Sequence, residues 1–390
     1  MSSDWVLCVS ANQARNTVAC ALSNGELHLY DQTTMHLLHT YQRDNLITDM
    51  SFETFDPNLL AATANDGSLT LYDIRQQQST HPVSEWKNML RPEEEALTLS
   101  MGYDGNIAAV GSSKGKIHFF DIRASNKVML GSYVQSHTDE VTRVRFQSVG
   151  GAGIARSTTP LLVSGSEDGL ACVFDTSQAT EESAVMNILP VQEAIREVGF
   201  FGPSLEGIYC LTGSESMKLY HKDESICRHD FGLQFREYLS HQLHQEGSSH
   251  GMTTLVSRMD YLVDCHWDPA QQELLLLAGS AKGDGALFRV GENQVAPLHF
   301  LHGGHRGVIR AWHANVMNPT SFLTVGEDAR MCEWNRMSGL MNGNGRGTVS
   351  SSTTSQIITP SRKRSGAPIH QGTGGGKMRR PRSRMTSAPY

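Results

Sequence analysis

The stretch VGSSKGKIHFFDIR (110–123) returns along the chain, and that recurrence limits the possible folds more than any single motif does. Its companions are VACALSNGELHLYDQ (18–32), LAATANDGSLTLYDIR (60–75) and LVSGSEDGLACVFDTS (162–177). Weaker copies are CLTGSESMKLYHKD (210–223), LLAGSAKGDGALFRV (276–290) and FLTVGEDARMCEWNR (322–336). Each copy reads as a strand of apolar and small residues, a turn usually ending in Gly, and an alternating strand ending in an aromatic residue. The Asn-Gly and Asp-Gly pairs suit hairpins whose turn needs positive φ. Within the first stretch, Gly111 to Gly115 satisfies G-x-S-x-G, the pattern of a hydrolase nucleophile elbow. That elbow requires a helix after the serine. A strand follows instead, so Ser113 is read as a hairpin-tip residue.

The closing aromatics are Tyr30, Tyr72, Phe120, Phe174, Tyr220, Phe288 and Trp334, spaced by 42, 48, 54, 46, 68 and 46 residues. A period near ~40–45 residues, stretched by insertions, is the signature of a β-propeller with four strands per blade. Seven landmarks predict seven blades. Alternating segments upstream of each hairpin, such as ITDMSF (47–52), VTRVRF (141–146) and VIRAW (308–312), are expected to be the inner strands lining a central channel.

At these residues the chain resembles the WD-repeat (WD40) proteins, whose blades carry a Gly-His pair, a strand Ser/Thr, a turn Asp and a closing Trp. The last repeat matches with Gly304, His305, Thr324, Asp328 and Trp334. The resemblance covers most of residues 15–336, and LHGGHRGVIRAWHANVMNPTSFLTVGEDARMCEW (301–334) carries it best. It implies that His305 bridges Asp328 and Thr324, whose hydroxyl meets the Trp334 ring N–H. The fourth repeat keeps His137, Ser164 and Asp168 but closes on Phe174, which has no N–H to give. The remaining repeats keep less, which predicts blades held mainly by apolar packing.

The expected architecture is therefore all-β: a seven-bladed WD40 propeller over residues 1–340, followed by a disordered basic tail over 341–390. Ring closure has three solutions in the sequence: WVLCVS (5–10) closes the ring, TVSSSTTSQIIT (348–359) supplies a missing strand, or the start is incomplete. The long insertion before Phe288 contains FREYLSHQLHQEGSSHG (235–251), read as a flexible loop.

No catalytic, metal or cofactor site emerges. His241, His244 and His250 fall in that insertion with no further ligand at matching spacing. Glu93, Glu94 and Glu95 read as a solvated loop. GTGGGKMRR (372–380) fails as a phosphate loop, because Gln371 stands where its first Gly belongs and Met378 where Ser/Thr should hold magnesium. The seven cysteines are scattered without C-x-x-C, which suits reduced thiols in the cytosol or nucleus. No run reaches the roughly 18 apolar residues of a membrane helix, and the N-terminus has no secretory pattern.

Two features point to partners instead. Asp73-Ile74-Arg75 and Asp121-Ile122-Arg123 close consecutive repeats. In WD-repeat substrate receptors of cullin-RING ubiquitin ligases, W-D-x-R at this position docks the adaptor subunit, so the resemblance implies adaptor docking through Asp73, Arg75, Asp121 and Arg123. Tyr72 and Phe120 replace the Trp, and the alternative is that each Arg pairs with a neighbouring Asp. The second feature is charge. Residues 341–390 hold nine Lys+Arg and no Asp or Glu, whereas the preceding 340 hold 24 Lys+Arg against 40 Asp+Glu. Arg362, Lys363 and Arg364, then Lys377, Arg379, Arg380, Arg382 and Arg384, form two basic clusters that read as a bipartite signal for a nuclear import carrier. Contact with nucleic-acid phosphates is the competing reading. Thr359-Pro360 resembles a proline-directed phosphorylation site beside the first cluster. The expectation is a non-catalytic protein-binding scaffold of nucleus and cytoplasm. Its specific form is a ubiquitin-ligase substrate receptor; the alternative is a scaffold in ribonucleoprotein or chromatin assembly.

Overall fold

The computed structural model describes residues 4–52, 56–76, 81–87, 89–124, 126–147, 160–249, 258–314, 321–335, 350–352 and 354–358. Their strands form seven antiparallel sheets, each a meander in chain order: 6–42, 47–86, 96–133, 141–190, 195–230, 261–301, and 309–335 completed by 354–358. The protein is a seven-bladed β-propeller. Because strands alternate in direction, the described connections from first to second and from third to fourth strand lie on one face, here the lower. The second-to-third hairpins and the inter-blade linkers lie on the upper.

The core is divided into seven apolar clusters, one per inter-blade interface. Between blades 1 and 2, for example, Leu27, Leu29 and Tyr41 pack on Ile47, Leu60 and Tyr72. Between blades 7 and 1, Leu323, Val325 and Met331 pack on Val6, Val18, Cys20 and Tyr30. That last cluster settles how the ring closes. Val6–Asn12 is blade 1's own inner strand, and the fourth strand of blade 7 is Thr354–Ile358, paired antiparallel with Met331–Asn335. The ring therefore meets face to face, with no strand exchanged across the junction. The compact unit extends to Thr359, so its last strand lies beyond the 340 boundary that composition suggests. Residues 360–390 lie outside the described residues, and with them both basic clusters; Thr359 does too.

A β-bulge recurs in all seven inner strands. The register skips Leu7, Thr48, Leu97, Thr142, Arg196, Val263 and Arg310, each the second residue of its strand except Val263, the third. A bulge bends the strand and re-aims the side chains around it. Several skipped side chains reach the next blade: Thr48 Oγ1 donates to the Ala96 carbonyl (2.6 Å), Thr142 Oγ1 to that of Ile195 (2.7 Å), and Arg196 to that of Leu262. The Arg310 guanidinium lies over the Trp5 ring across the closure, 5.7 Å from its centroid.

Two expectations need correction. Phe235–Ser249 is a helix, not a loop, because Phe235, Leu239 and Leu243 form an i, i+4, i+8 stripe buried against blades 5 and 6. Its polar residues and histidines occupy the remaining surface and mask that stripe in the composition. Glu94 is 3% exposed rather than solvated, for a reason given below.

Candidate interaction faces and channel

In blade 7 the linker before the inner strand places His305 inside the upper rim. His305 Nδ1 lies 3.0 Å from Asp328 Oδ1 and Nε2 lies 2.8 Å from Thr324 Oγ1, while Trp334 Nε1 donates to the same hydroxyl at 2.7 Å. One proton arrangement satisfies every atom: the indole N–H donates to Thr324, Thr324 O–H to Nε2, and Nδ1–H to Asp328. Burial pushes the Asp328 carboxyl up, but His305 and the N–H groups of Arg306 and Arg330 outweigh it and hold it below the usual range.

Blade 4 repeats this without the indole. His137 Nε2 lies 2.7 Å from Ser164 Oγ and Nδ1 lies 3.1 Å from Asp168 Oδ2. The connectivity is that of a Ser-His-Asp hydrolytic triad. Ser164 is fully buried, however, and Gly165 packs against Ile195, so no acyl group can reach it. The cluster is a structural clamp.

Other blades are not left to apolar packing alone. Arg43 stands four residues before the blade 2 inner strand, where His137 and His305 stand in theirs. It donates to Ser68 Oγ (3.0 Å), Thr70, Tyr72 Oη (3.2 Å) and Glu85. In blade 3 the clamp is Glu94, which accepts from Ser112 Oγ at 2.7 Å and lies 2.9 Å from His118 Nε2, with Lys116 Nζ at 3.2 Å. Burial raises its pKa, yet the His118 and Ser112 hydrogen bonds and the nearby positive charge bring it down to about 2. In blade 5, Glu193 accepts from Thr212 Oγ1 (3.0 Å) and Ser216 and pairs with Lys218 Nζ (3.0 Å). Sequence reading missed these clamps because both residue type and position change from blade to blade: Arg43 holds the place of the histidines four residues before the inner strand, whereas Glu94 and Glu193 stand two residues before theirs. Ser113, at the neighbouring hairpin tip, exchanges hydrogen bonds with the Glu95 backbone and nothing else chemical.

The bulges aim one residue per blade at the central channel: Cys8, Asp49, Thr98, Arg143, Glu197, Asp264 and Ala311. Arg143 from blade 4 reaches past blade 3 to Asp49 of blade 2 (Nη1 to Oδ2, 3.0 Å), and its Nε and Nη2 hold Glu197 of blade 5 (Nε to Oε2, 2.6 Å). Arg145 stands 3.8 Å from Glu197 and from Asp264, and Asp264 accepts from Tyr209 Oη at 3.1 Å. Asp49 also accepts from the unpaired Leu99 N–H of blade 3 (2.9 Å), as Ser10 does from Phe52 N–H and Ser100 from Phe146 N–H. Channel side chains thus satisfy inner-strand edges that no further strand covers. Burial pushes Glu197 upward and Arg143 restrains it. Burial, aided by His266, pushes His313 down to about 4, so it faces the channel as neutral imidazole. The signal was present in ITDMSF and VTRVRF: the same inner-strand position carries a charged residue in four of the seven blades, Asp49, Arg143, Glu197 and Asp264.

Asp73 and Asp121 end the third strands of blades 2 and 3 on the lower face. Arg75 Nε and Nη2 grip Asp73 side-on at 2.9 and 2.6 Å, and Arg123 grips Asp121 at 3.0 and 2.8 Å. The backbone N–H of each Arg joins the same carboxylate. These arginine bonds hold both carboxyls below the usual range. Each Arg therefore spends one edge on its own blade, yet the side chains remain 61% and 62% exposed. The adjacent blades present the same paired group on the same face. Of the three histidines in the insertion, His241 and His244 are exposed helix residues, and His250 lies outside the described residues. Among the described residues no three potential metal ligands converge, and all seven cysteines are free thiols.

A full His–Thr–Asp–Trp clamp inside a seven-bladed ring is what the WD-repeat pattern encodes, and relatives bear the same name. The chain is 24% identical over 328 residues to a WD repeat-containing protein 89 homolog of Dictyostelium discoideum, covering 84% of this chain and 82% of the relative. The chain is a WD-repeat β-propeller. The WD repeat-containing protein GTS1 of Arabidopsis thaliana is likewise 24% identical, covering 85% and 81%. A partial match, 25% identical over 58% of this chain and 31% of the relative, is the E3 ubiquitin-protein ligase COP1 of Pisum sativum. No family model matches the chain. Among solved structures, a chain of the mitotic checkpoint complex superposes with a TM-score of 0.62 at 14% identity, over 85% of this propeller and 86% of that chain. That likeness is one of fold. The WD-repeat relatives support a protein-interaction scaffold.

Proposed function

We propose that this propeller is a non-catalytic substrate receptor that docks a cullin-RING ubiquitin ligase adaptor through its lower face. The observation that carries the reading is the duplicated Asp–Arg pair of blades 2 and 3. Two exposed guanidiniums, each fixed by its own aspartate, present preorganised donors toward carboxylates of a partner. The partial match to an E3 ubiquitin-protein ligase is consistent with it. The Ser–His–Asp grouping of blade 4 is sealed from substrate, which supports a binding rather than hydrolytic role. The two basic clusters of the tail supply nuclear import in this reading, giving a protein shared between nucleus and cytoplasm.

The test is affinity purification of tagged wild type beside the Arg75→Ala/Arg123→Ala double variant, with mass spectrometry of the bound proteins. Loss of the adaptor from the variant at unchanged melting temperature is the expected outcome. Adaptor missing from both samples would overturn the proposal. An acidic body with a basic tail favours the second reading, assembly with ribonucleoprotein or chromatin components. It predicts RNA or basic proteins that dissociate at high salt or on removal of the tail.

A further inference from the structure

From each Asp–Arg pair the chain returns to the outer strand of its blade, and in both blades the last residue before that strand is an exposed valine. Val83 precedes Ser84–Trp86 in blade 2, and Val128 precedes Met129–Tyr133 in blade 3. The Val83 N–H donates to the carbonyl of Leu71, two residues before Asp73, at 2.9 Å. Met129 pairs with Phe120, the neighbour of Asp121. Each valine thus stands one strand outward from its Asp–Arg pair. In the flanking blades the same place holds His36 in blade 1 and the fully buried Ala184 in blade 4.

The two segments come together. Lys127, in the left-handed region at φ +50°, sends its ammonium over the Trp86 ring of blade 2, 5.8 Å from the centroid. Blade 3's connection therefore leans onto blade 2's outer strand. Next to it, the register of Met129–Tyr133 skips Leu130, and the bulge turns that side chain outward. Val83, Val128 and Leu130 are 50%, 57% and 59% exposed. An apolar side chain standing singly on a surface is ordinary; three gathered beside two guanidiniums are the make-up of an interface, apolar within and polar at its margin.

Charge alone is a weak hold for a partner on this face. Each guanidinium already has its own aspartate, and an ion pair in open water contributes little. Covering the apolar side chains supplies attraction that the arginines lack, while the arginines fix orientation. Asp73 and Asp121 are largely covered and their arginines are not, so the margin presents positive charge outward.

We propose that Val83, Val128 and Leu130, with Arg75 and Arg123 at the margin, form one docking patch whose occupant is a face of the ligase adaptor, apolar at its centre and carrying carboxylates at its rim. This rests on the lower-face docking proposed above and adds the residues that supply its affinity and the chemistry of the face they meet.

The experiment measures binding of purified adaptor to the immobilised full chain. Val83→Ser/Val128→Ser/Leu130→Ser should weaken binding about 30-fold or more at unchanged melting temperature. Ile226→Ser, at an exposed residue of blade 5, should leave binding as in wild type. Val128→Glu should weaken it more than Val128→Lys does, because only glutamate repels a carboxylate rim. If the triple variant melts early, Val128→Ser and Leu130→Ser are read singly, each with a loss of a few-fold. Adaptor that binds the serine variants as it binds wild type would overturn the patch; the docking reading survives that result where Arg75→Ala/Arg123→Ala still releases the adaptor. Adaptor that fails to bind wild type overturns both. Equal weakening by Val128→Glu and Val128→Lys, or an Ile226→Ser loss as large as that of the triple variant, would also overturn the proposal.

Discussion

Arg143→Met isolates the channel plug from the rest of the ring. Methionine keeps most of the aliphatic stem and removes the guanidinium that bridges blades 2, 4 and 5. Asp49 retains the Thr98 hydroxyl and the Leu99 N–H. Glu197 retains only Arg145, at 3.8 Å. Breaking a buried pair by removing one partner costs about 3–5 kcal/mol. Arg143 is 20% exposed, so water reaches part of the site and the lower end, about 3 kcal/mol, is expected. The pH dependence follows from Glu197. Burial already raises its pKa, and losing Arg143 raises it further, so the folded state binds this proton more tightly than the unfolded chain does. The variant's deficit is then largest above the shifted pKa and shrinks as pH falls through it. Urea unfolding of both chains at pH 7.5 and 5.5 measures this, with Arg143→Met/Glu197→Gln as the rescue. The double variant should recover most of the loss at pH 7.5. A deficit that is the same at both pH values and is not rescued would refute this account of the plug.

Three further perturbations probe the clamps. Glu94→Gln should flatten the acid limb of stability. With a folded pKa of about 2, below its unfolded value, Glu94 contributes above the unfolded pKa and loses that contribution as pH falls toward 2; circular dichroism during acid titration reads it. Trp334→Phe makes blade 7 like blade 4, removing the indole hydrogen bond to Thr324, and should cost about 1–2 kcal/mol in urea unfolding; a loss larger than that of His305→Ala would contradict the order of the network. Gly283→Ala should lower the melting temperature more than a surface substitution does, because Gly283 has φ +93° and an added Cβ would come 2.5 Å from the His305 carbonyl carbon.

Much of the fold was legible because a hairpin repeat is local. Asn24-Gly25 and Asp66-Gly67 announce turns, alternating residues announce strands, and the aromatic landmarks count the blades. Blade 7's clamp was legible for the same reason, since all four of its residues match one pattern. Glu94 and Arg43 were not, because they do the work of a histidine with other chemistry. The helix Phe235–Ser249 hid behind its polar surface, although its three buried residues were at helical spacing all along.

The sequence by itself determined the architecture, its seven units and the charge division between body and tail, and left the pairing of Arg75 and Arg123 with their neighbouring aspartates as one of two readings. Tertiary structure alone decided how the ring closes, which residues meet in the channel, and where the last strand comes from. Asp49 and Arg143 are 94 residues apart in the chain, and Cys20 and Met331 are 311 apart, yet each pair touches. Local patterns fix which face of a strand is buried. Only closing seven sheets around one axis decides which distant side chains share the space inside.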